Sequence, residues 1–153
     1  MNTVRTNGQN SDFVALCAAL DDELNEIIGA EKQSSTYDRY NLLGDIRDAV
    51  VVYIDAVPVA GGAFKLYEDG VAEIKRVFVK RAYRGRGLSK TVMHELETMA
   101  AEAGYRRLVL ETGRLLAAAQ GLYASLGYTV IDNYGPYVNM AESVCMEKIL
   151  ISQ

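Results

Sequence analysis

The segment at residues 81–90, RAYRGRGLSK, lies between a run of strand character and a helical pattern that begins at Leu88. A glycine turn in that position constrains the chain more than any other feature. Glycines after a strand and before a helix let backbone N–H groups converge on one spot, where the helix dipole adds partial positive charge. A pyrophosphate fits such a spot, and flanking arginines neutralise it. Residues 75–90 hold seven of the 16 basic groups and no acid, so the other nine bases stand against 20 acids, or −11. A charge run is ordinarily a solvated face. Fused to a glycine turn, this one reads as an anion site. RGRGLS lacks the Lys-Ser/Thr spacing of a nucleotide P-loop, and Lys90 stands where the third glycine of GxGxxG would fall.

The rest of the pattern supplies the frame. The first ten residues are polar and read as a loose terminus. Ser11 or Asp12 is placed to cap a helix whose apolar positions Phe13, Leu16, Cys17, Leu20, Leu24, Ile27 and Ile28 follow helical spacing, with Gly29 as its stop. Residues 31–48 show no clear period and carry Tyr37, Arg39, Tyr40 and Asn41; a polar, aromatic-bearing loop of that length is more often functional than idle. Strands are expected at 49–54, 59–67 and 71–79, the last two joined across the EDG turn at 68–70. A helix follows at 88–103, with Leu88, Val92, Leu96, Met99 and Ala103 on one face and Gly104 ending it. A buried strand is expected at 106–112 and a helix at 116–126, with Leu116, Ala119, Leu122, Tyr123 and Leu126 inward. Strands at 128–131 and 144–151 complete an α/β (α+β) mixed, mostly antiparallel sheet with helices on both faces.

One chain of 153 residues, half of them hydrophobic, fits a single domain with a sizeable core. Cys17 and Cys145, without metal-ligand spacing, fit a reducing cytoplasm better than a disulfide framework. No apolar run reaches membrane-span length, and residues 13–20 lead straight into Asp21, Asp22 and Glu23, unlike a signal peptide. The net charge of −4 argues against a general nucleic-acid binder. No His-Cys-Asp cluster points to a metal. His94, the one histidine, falls nearly opposite Val92 and Leu96 on its helix and reads as a surface residue. Cys145 reads as a small core residue.

These residues resemble the GNAT superfamily of acyl-CoA-dependent N-acetyltransferases, small-molecule type. The family's CoA signature, Arg/Gln-x-x-Gly-x-Gly/Ala, maps onto Arg84, Gly87 and Ser89, where Ser89 replaces the usual Gly or Ala. VAEIKRVFV at 71–79 resembles the family's fourth strand. LETG with AQGLYASLGY resembles its fifth strand and following helix, and SVCMEKIL its last strand. The match spans residues 45–150 in order. The resemblance implies the GNAT fold and acetyl-CoA as co-substrate, held by Val77, Phe78 and Val79 together with Arg84, Gly85, Arg86, Gly87, Leu88, Ser89 and Lys90.

Acetyl transfer to an amine needs a base, because alkylamines are protonated at neutral pH. It also needs oxyanion donors, which backbone N–H groups near Val77 and Phe78 supply if the strand is bulged there. Glu73 is the candidate base; otherwise it is a solvated strand residue paired with Lys75, two along on the same face. Tyr123 is the candidate acid, from the family's tyrosine at this helical position; otherwise it is a core aromatic. Tyr37, Arg39, Tyr40, Asn41 and Arg76 are candidates for the acceptor pocket, with Arg39 or Arg76 meeting a substrate carboxylate. The expected partner is a small-molecule amine, an amino acid among the candidates, with neither nucleic acid nor membrane. Monomer and homodimer both stay open. A non-catalytic acyl-CoA sensor is the competing reading, and RNA binding through the basic run a third.

Overall fold

Ala49, Val50, Val51 and Val52 are all fully buried. A strand points successive side chains to opposite faces, so four buried residues in a row require a sheet covered on both sides. The computed structural model, which describes residues 1–28 and 43–150, has that arrangement. Ala49 and Val51 pack with Phe13, Leu16 and Cys17, and Val50 and Val52 pack on the other face with Val92, Met93 and Leu96.

The described elements are β1 (Asn2–Thr6), α1 (Ser11–Ile28), β2 (Asp48–Ile54), β3 (Val57–Glu68), β4 (Val71–Val79), α2 (Leu88–Glu102), β5 (Arg107–Gly113), α3 (Ala117–Ser125), β6 (Thr129–Ile131) and β7 (Ser143–Ile149). Short 3-10 turns lie at Arg81–Tyr83 and Gly135–Tyr137. The seven strands form one sheet in the order β1-β2-β3-β4-β5-β7-β6. All pairs are antiparallel except β4 with β5. None of the helices formed by the described residues is long and apolar enough to cross a membrane.

Local chemistry accounts for the departures from expectation. Residues 2–6, placed in a loose terminus by their polarity, instead pair in register with β2, Asn2 opposite Tyr53 through Thr6 opposite Ala49. This edge strand has no continuous apolar stripe to announce it; Arg5 ties it to Glu95 and Glu102 of α2. The cap of α1 is Asn10, one residue before the expected pair, its side-chain oxygen accepting from the Phe13 N–H at 3.0 Å. Strand β3 starts at Val57 and includes Pro58, which lies opposite Tyr53 beside a register shift in β2, where a missing N–H is tolerated. On α2, Ala103 is exposed, and Met93 and Ala100 complete the buried face.

Two consecutive glycines bring both helices onto β3. A Cβ on Gly61 would meet Val50 O at 2.9 Å and Leu16 Cδ1 at 3.1 Å, on the α1 side. One on Gly62 would meet Val92 Cγ1 at 2.8 Å and Leu96 Cδ1 at 3.0 Å, on the α2 side. Gly121, by contrast, lies within α3 with open space where its Cβ would be. The two sites predict opposite signs for one substitution. Gly62→Ala should destabilise by about 1–3 kcal/mol through overpacking. Gly121→Ala should stabilise by up to about 1 kcal/mol through helix propensity. Urea unfolding of both variants tests this, and a Gly62→Ala protein as stable as the parent contradicts the packing described.

Candidate active site

Strands β4 and β5 pair only from Val71 opposite Arg107 to Ile74 opposite Leu110. Beyond that point β5 continues against β7, while β4 continues against β3. The β4 edge that faced β5 therefore loses its strand partner, and a cleft opens between the two. A bulge in β4 marks the divergence. Lys75 pairs with Ala63 and Phe78 with Gly61, so β4 carries one more residue than β3 across this interval. Arg76 takes up the excess with φ +63°, a conformation uncommon for a side chain larger than glycine. This is the bulge that an oxyanion site near Val77 and Phe78 requires.

The cleft encloses a cavity of about 160 Å³. Glu73, Lys75, Arg76 and Val77 line it from β4, Glu111 and Thr112 from β5, and Ala119 and Tyr123 from α3. Glu73 is 5% exposed and Lys75 8%. The expected Glu73–Lys75 pair does form, Oε1 to Nζ at 3.6 Å, but inside the cleft rather than in solvent. Tyr134 donates its hydroxyl proton to Glu73 Oε2 at 2.7 Å, and Lys75 Nζ donates to the Tyr137 oxygen at 3.2 Å. Burial pulls the Lys75 ammonium below its ordinary pKa, with Glu73 opposing. Across the cleft, burial raises the carboxyl of Glu111, although Ser143 donates a hydrogen bond to it at 2.7 Å.

Tyr123 projects from α3 into this cavity, and its ring packs edge-on to Tyr128 at 5.9 Å. Among the described residues its hydroxyl has no hydrogen-bond partner. Burial first, and the Glu111 charge second, push its pKa up to about 12. The hydroxyl thus stays protonated and free to donate to a group placed in the cleft.

The glycine turn follows the end of β4. Gly85 and Gly87 have φ of +81° and +76°, and a Cβ on either would meet nothing within 4 Å. Gly87 caps α2 without a side-chain bond, so no cap side chain satisfies the first N–H groups of the helix. These features fit the phosphate cradle expected of Gly85 to Lys90. Arg86 lies over the Tyr83 ring. Arg84 folds back: its Nε donates to Val79 O at 2.9 Å, and its terminal nitrogen meets Glu23 at 2.7 Å. Arg81 meets the same Glu23 carboxylate at 3.0 Å.

The structure therefore brings Glu73, Tyr123, Val77 and Arg76 to one cavity. Phe78 turns under α1, and Val79 joins the core beneath α2; neither side chain lines the cleft. Arg76 does not present an open fork to a substrate carboxylate. Its terminal nitrogens are taken by Asp21 at 2.9 Å and the Cys17 carbonyl at 3.0 Å. Tyr37, Arg39, Tyr40 and Asn41 lie outside the described residues. His94 is exposed and Cys145 fully buried, as expected. Lys75, Glu111, Tyr134 and Tyr137 were not singled out for the site. Only the Glu73/Lys75 spacing hinted at one of them, since the others arrive through β5 and the loop before β7.

The Acetyltransferase (GNAT) family model matches residues 13–128. An "IAA acetyltransferase" of Azospirillum brasilense is 36% identical over 83 residues, which is 54% of this chain and 54% of that protein. The chain thus spans about half the length of this curated relative. A Klebsiella pneumoniae subsp. pneumoniae protein, provisionally described as an acyl-CoA N-acyltransferase, superposes with TM-score 0.81 at 30% identity, covering 98% of this chain and 97% of its own. The PaiA N-acetyltransferase of Thermoplasma acidophilum, solved with coenzyme A, shares the fold at 18% identity and TM-score 0.72, over 97% of this chain and 99% of its own.

Gly87 offers the direct test of the cradle. Gly87→Val places a branched side chain in the open space and in a left-handed conformation, a strain of about 1–2 kcal/mol. Acetyl-CoA affinity should fall at least about tenfold, with the loss far exceeding that of Arg84→Ala, whose charge is partly solvated. Calorimetric titration decides it: unchanged affinity in a folded Gly87→Val protein removes the phosphate site from this turn.

Proposed function

The chain belongs to the GNAT acetyltransferase family, and from that premise we propose that it transfers the acetyl group of acetyl-CoA to a primary amine of a small metabolite such as an amino acid. The observation that carries this reading is the cleft at the β4–β5 divergence, with a buried carboxylate on one wall and, on the other, a phenol unpaired among the described residues. Acetyl-CoA would lie with its pyrophosphate at Gly85 and Gly87 and supply the activated thioester. The unpaired edge of β4 near Val77 and Phe78 would offer N–H donors to the oxyanion.

Glu73 is assigned as base. It takes a proton from the ammonium, directly or through water, leaving the nitrogen lone pair to bond to the acetyl carbon. Tyr134 holds the other carboxylate oxygen and fixes the group's orientation. Tyr123 is assigned to the leaving group. As the carbon–sulfur bond breaks, its electron pair leaves on sulfur, and the nitrogen, which still carries one proton more than the amide holds, releases it to solvent. A phenol at about 12 facing a thiolate near ~8.5 would lose roughly three to four orders of magnitude by giving its proton away completely. Tyr123 therefore donates a hydrogen bond to the thiolate, which takes its proton from solvent on release.

A cytoplasmic location belongs to the same reading, consistent with two free, buried cysteines. Nucleic acid remains disfavoured, because Arg81 and Arg84 are met by Glu23 and Lys75 and Arg76 are buried in the cleft. No group of three or more potential metal ligands forms among the described residues.

Two substitutions test the assignments in a thiol-release assay over amino acids, polyamines, aminoglycosides and short peptides. Glu73→Gln should lower turnover by about 10²–10⁴-fold at neutral pH. Part of the loss should return at high pH, where more amine is already neutral, and acetyl-CoA affinity should barely move. Wild-type turnover at every pH would return Glu73 to a structural role. Tyr123→Phe keeps the apolar volume and removes only the donor. It should lower kcat by about 10²-fold with KM little changed, since the bond forms in the transition state. A wild-type kcat in Tyr123→Phe assigns the role elsewhere. Tight acetyl-CoA binding without turnover of any amine would favour the sensor.

A further inference from the structure

We propose that the Glu73–Lys75 pair is a zwitterion receptor, so that the acceptor is an α-amino acid whose carboxylate is held by Lys75 while its ammonium faces Glu73. This rests on the acetyl-transfer reading above and narrows its acceptor class.

The geometry starts with an under-used cation. Lys75 is buried and lines the cavity, yet among the described residues its ammonium makes one hydrogen bond, to Tyr137. An ammonium carries three donors. Glu73 Oε1, at 3.6 Å, is close enough for attraction and too far for a hydrogen bond. A buried charge left with idle donors is costly unless a ligand completes it. Burial lowers the ammonium's pKa, a penalty that a second carboxylate beside it would relieve.

The shape of the deficit identifies the ligand. Opposite charges 3.6 Å apart on one strand face present the mirror of a molecule whose ammonium and carboxylate are separated by a single carbon. Docked in the antiparallel sense, the ligand's carboxylate completes Lys75 and its ammonium replaces Lys75 as the partner of Glu73. The exchange also delivers the proton to be removed to the base. No new charge accumulates: among the described residues, Glu73, Glu111 and Glu142 line the cavity against Lys75, Arg76 and Arg114, three of each sign. A polyamine would add cations to a balanced site and leave the Lys75 donors idle. Arg76, the other buried cation, is already held by Asp21 and the Cys17 carbonyl, so the carboxylate role falls to Lys75.

The test compares each L-amino acid with the amine lacking its carboxylate, for example phenylalanine with phenethylamine and methionine with 3-(methylthio)propylamine. Both are assayed for thiol release, and their binding to the CoA-loaded protein is measured by calorimetry. For at least one matched pair the wild type should favour the amino acid by about 100-fold or more in kcat/KM, within the range for losing a buried charged partner. Lys75→Met should collapse that ratio towards one whatever its absolute rate, and Lys75→Arg should retain most of it. Wild-type protein that acetylates the amines as well as the amino acids overturns the receptor and leaves acetyl transfer standing. Amino acids that bind the CoA-loaded wild type but not Lys75→Met, without turnover of any acceptor, support the receptor and sink the transferase reading. The wild-type ratios need no folded variant, and they alone can refute the proposal.

Discussion

The parting of β4 from β5 after Ile74 is the constraint on which the site depends, and Arg76 holds it in place. Its left-handed backbone carries a strain of about 1–2 kcal/mol. Among the described residues its buried Nε finds no partner, a further cost of about 1–3 kcal/mol. Against these stand a charged hydrogen bond to Asp21 and one to the Cys17 carbonyl, at about 1.5–3 kcal/mol each. The terms nearly cancel. The bulge is thus not stabilised by Arg76 alone; it persists because α1, packed through Phe13 and Leu16, supplies both acceptors from a fixed position. Helix α1 therefore shapes the cleft twice, by anchoring the Arg76 side chain and by lining the cavity with Leu20 and Leu24.

The same helix touches the other half of the site. Glu23 accepts from both Arg81 and Arg84, and the arginines outweigh the effect of burial to hold its carboxyl below the ordinary range. Ion pairs this exposed contribute about 0–1 kcal/mol. They hold the guanidinium groups near the glycine turn without binding them too firmly to exchange Glu23 for a phosphate. Arg84 is steadied independently by its bond to Val79 O and its position over the Phe78 ring, so its stem would stay in place if the head exchanged Glu23 for a phosphate.

Much of this was legible in the sequence because it is local. The run at 71–79, bounded by a turn glycine and a basic glycine turn, begins and ends where the structure places β4. The helix at Leu88 announces itself by period and by the glycine before it. What was not legible is what depends on partners. Asn2–Thr6 becomes a strand because β2 offers an edge, not because its residues demand one. Glu111 reaches the cleft because β5 changes partner from β4 to β7, and Tyr134 and Tyr137 because the chain returns over Glu73 on its way into β7. Even the Glu73–Lys75 pair, visible as a spacing of two, gave no sign of its burial, which follows from covering both sheet faces.

The burial of the cleft's polar groups bears on how a carboxylate could deprotonate an amine at all. In water an alkylammonium near ~10.4 and a carboxyl near ~4.3 differ by about six units, roughly 8 kcal/mol against proton transfer. Transfer converts two charges into two neutral groups, so removal from water favours it from both sides. Two residues of this cavity already respond in that sense: burial lowers the ammonium of Lys75 and raises the carboxyl of Glu111. Under the proposed function, an incoming ammonium would meet the same walls and be driven towards its neutral, nucleophilic form. On the reading proposed above, with His94 exposed on α2, desolvation would do the work that an imidazole of intermediate pKa does elsewhere. On that reading the deep placement of the polar cluster would be part of the chemistry rather than a by-product of packing.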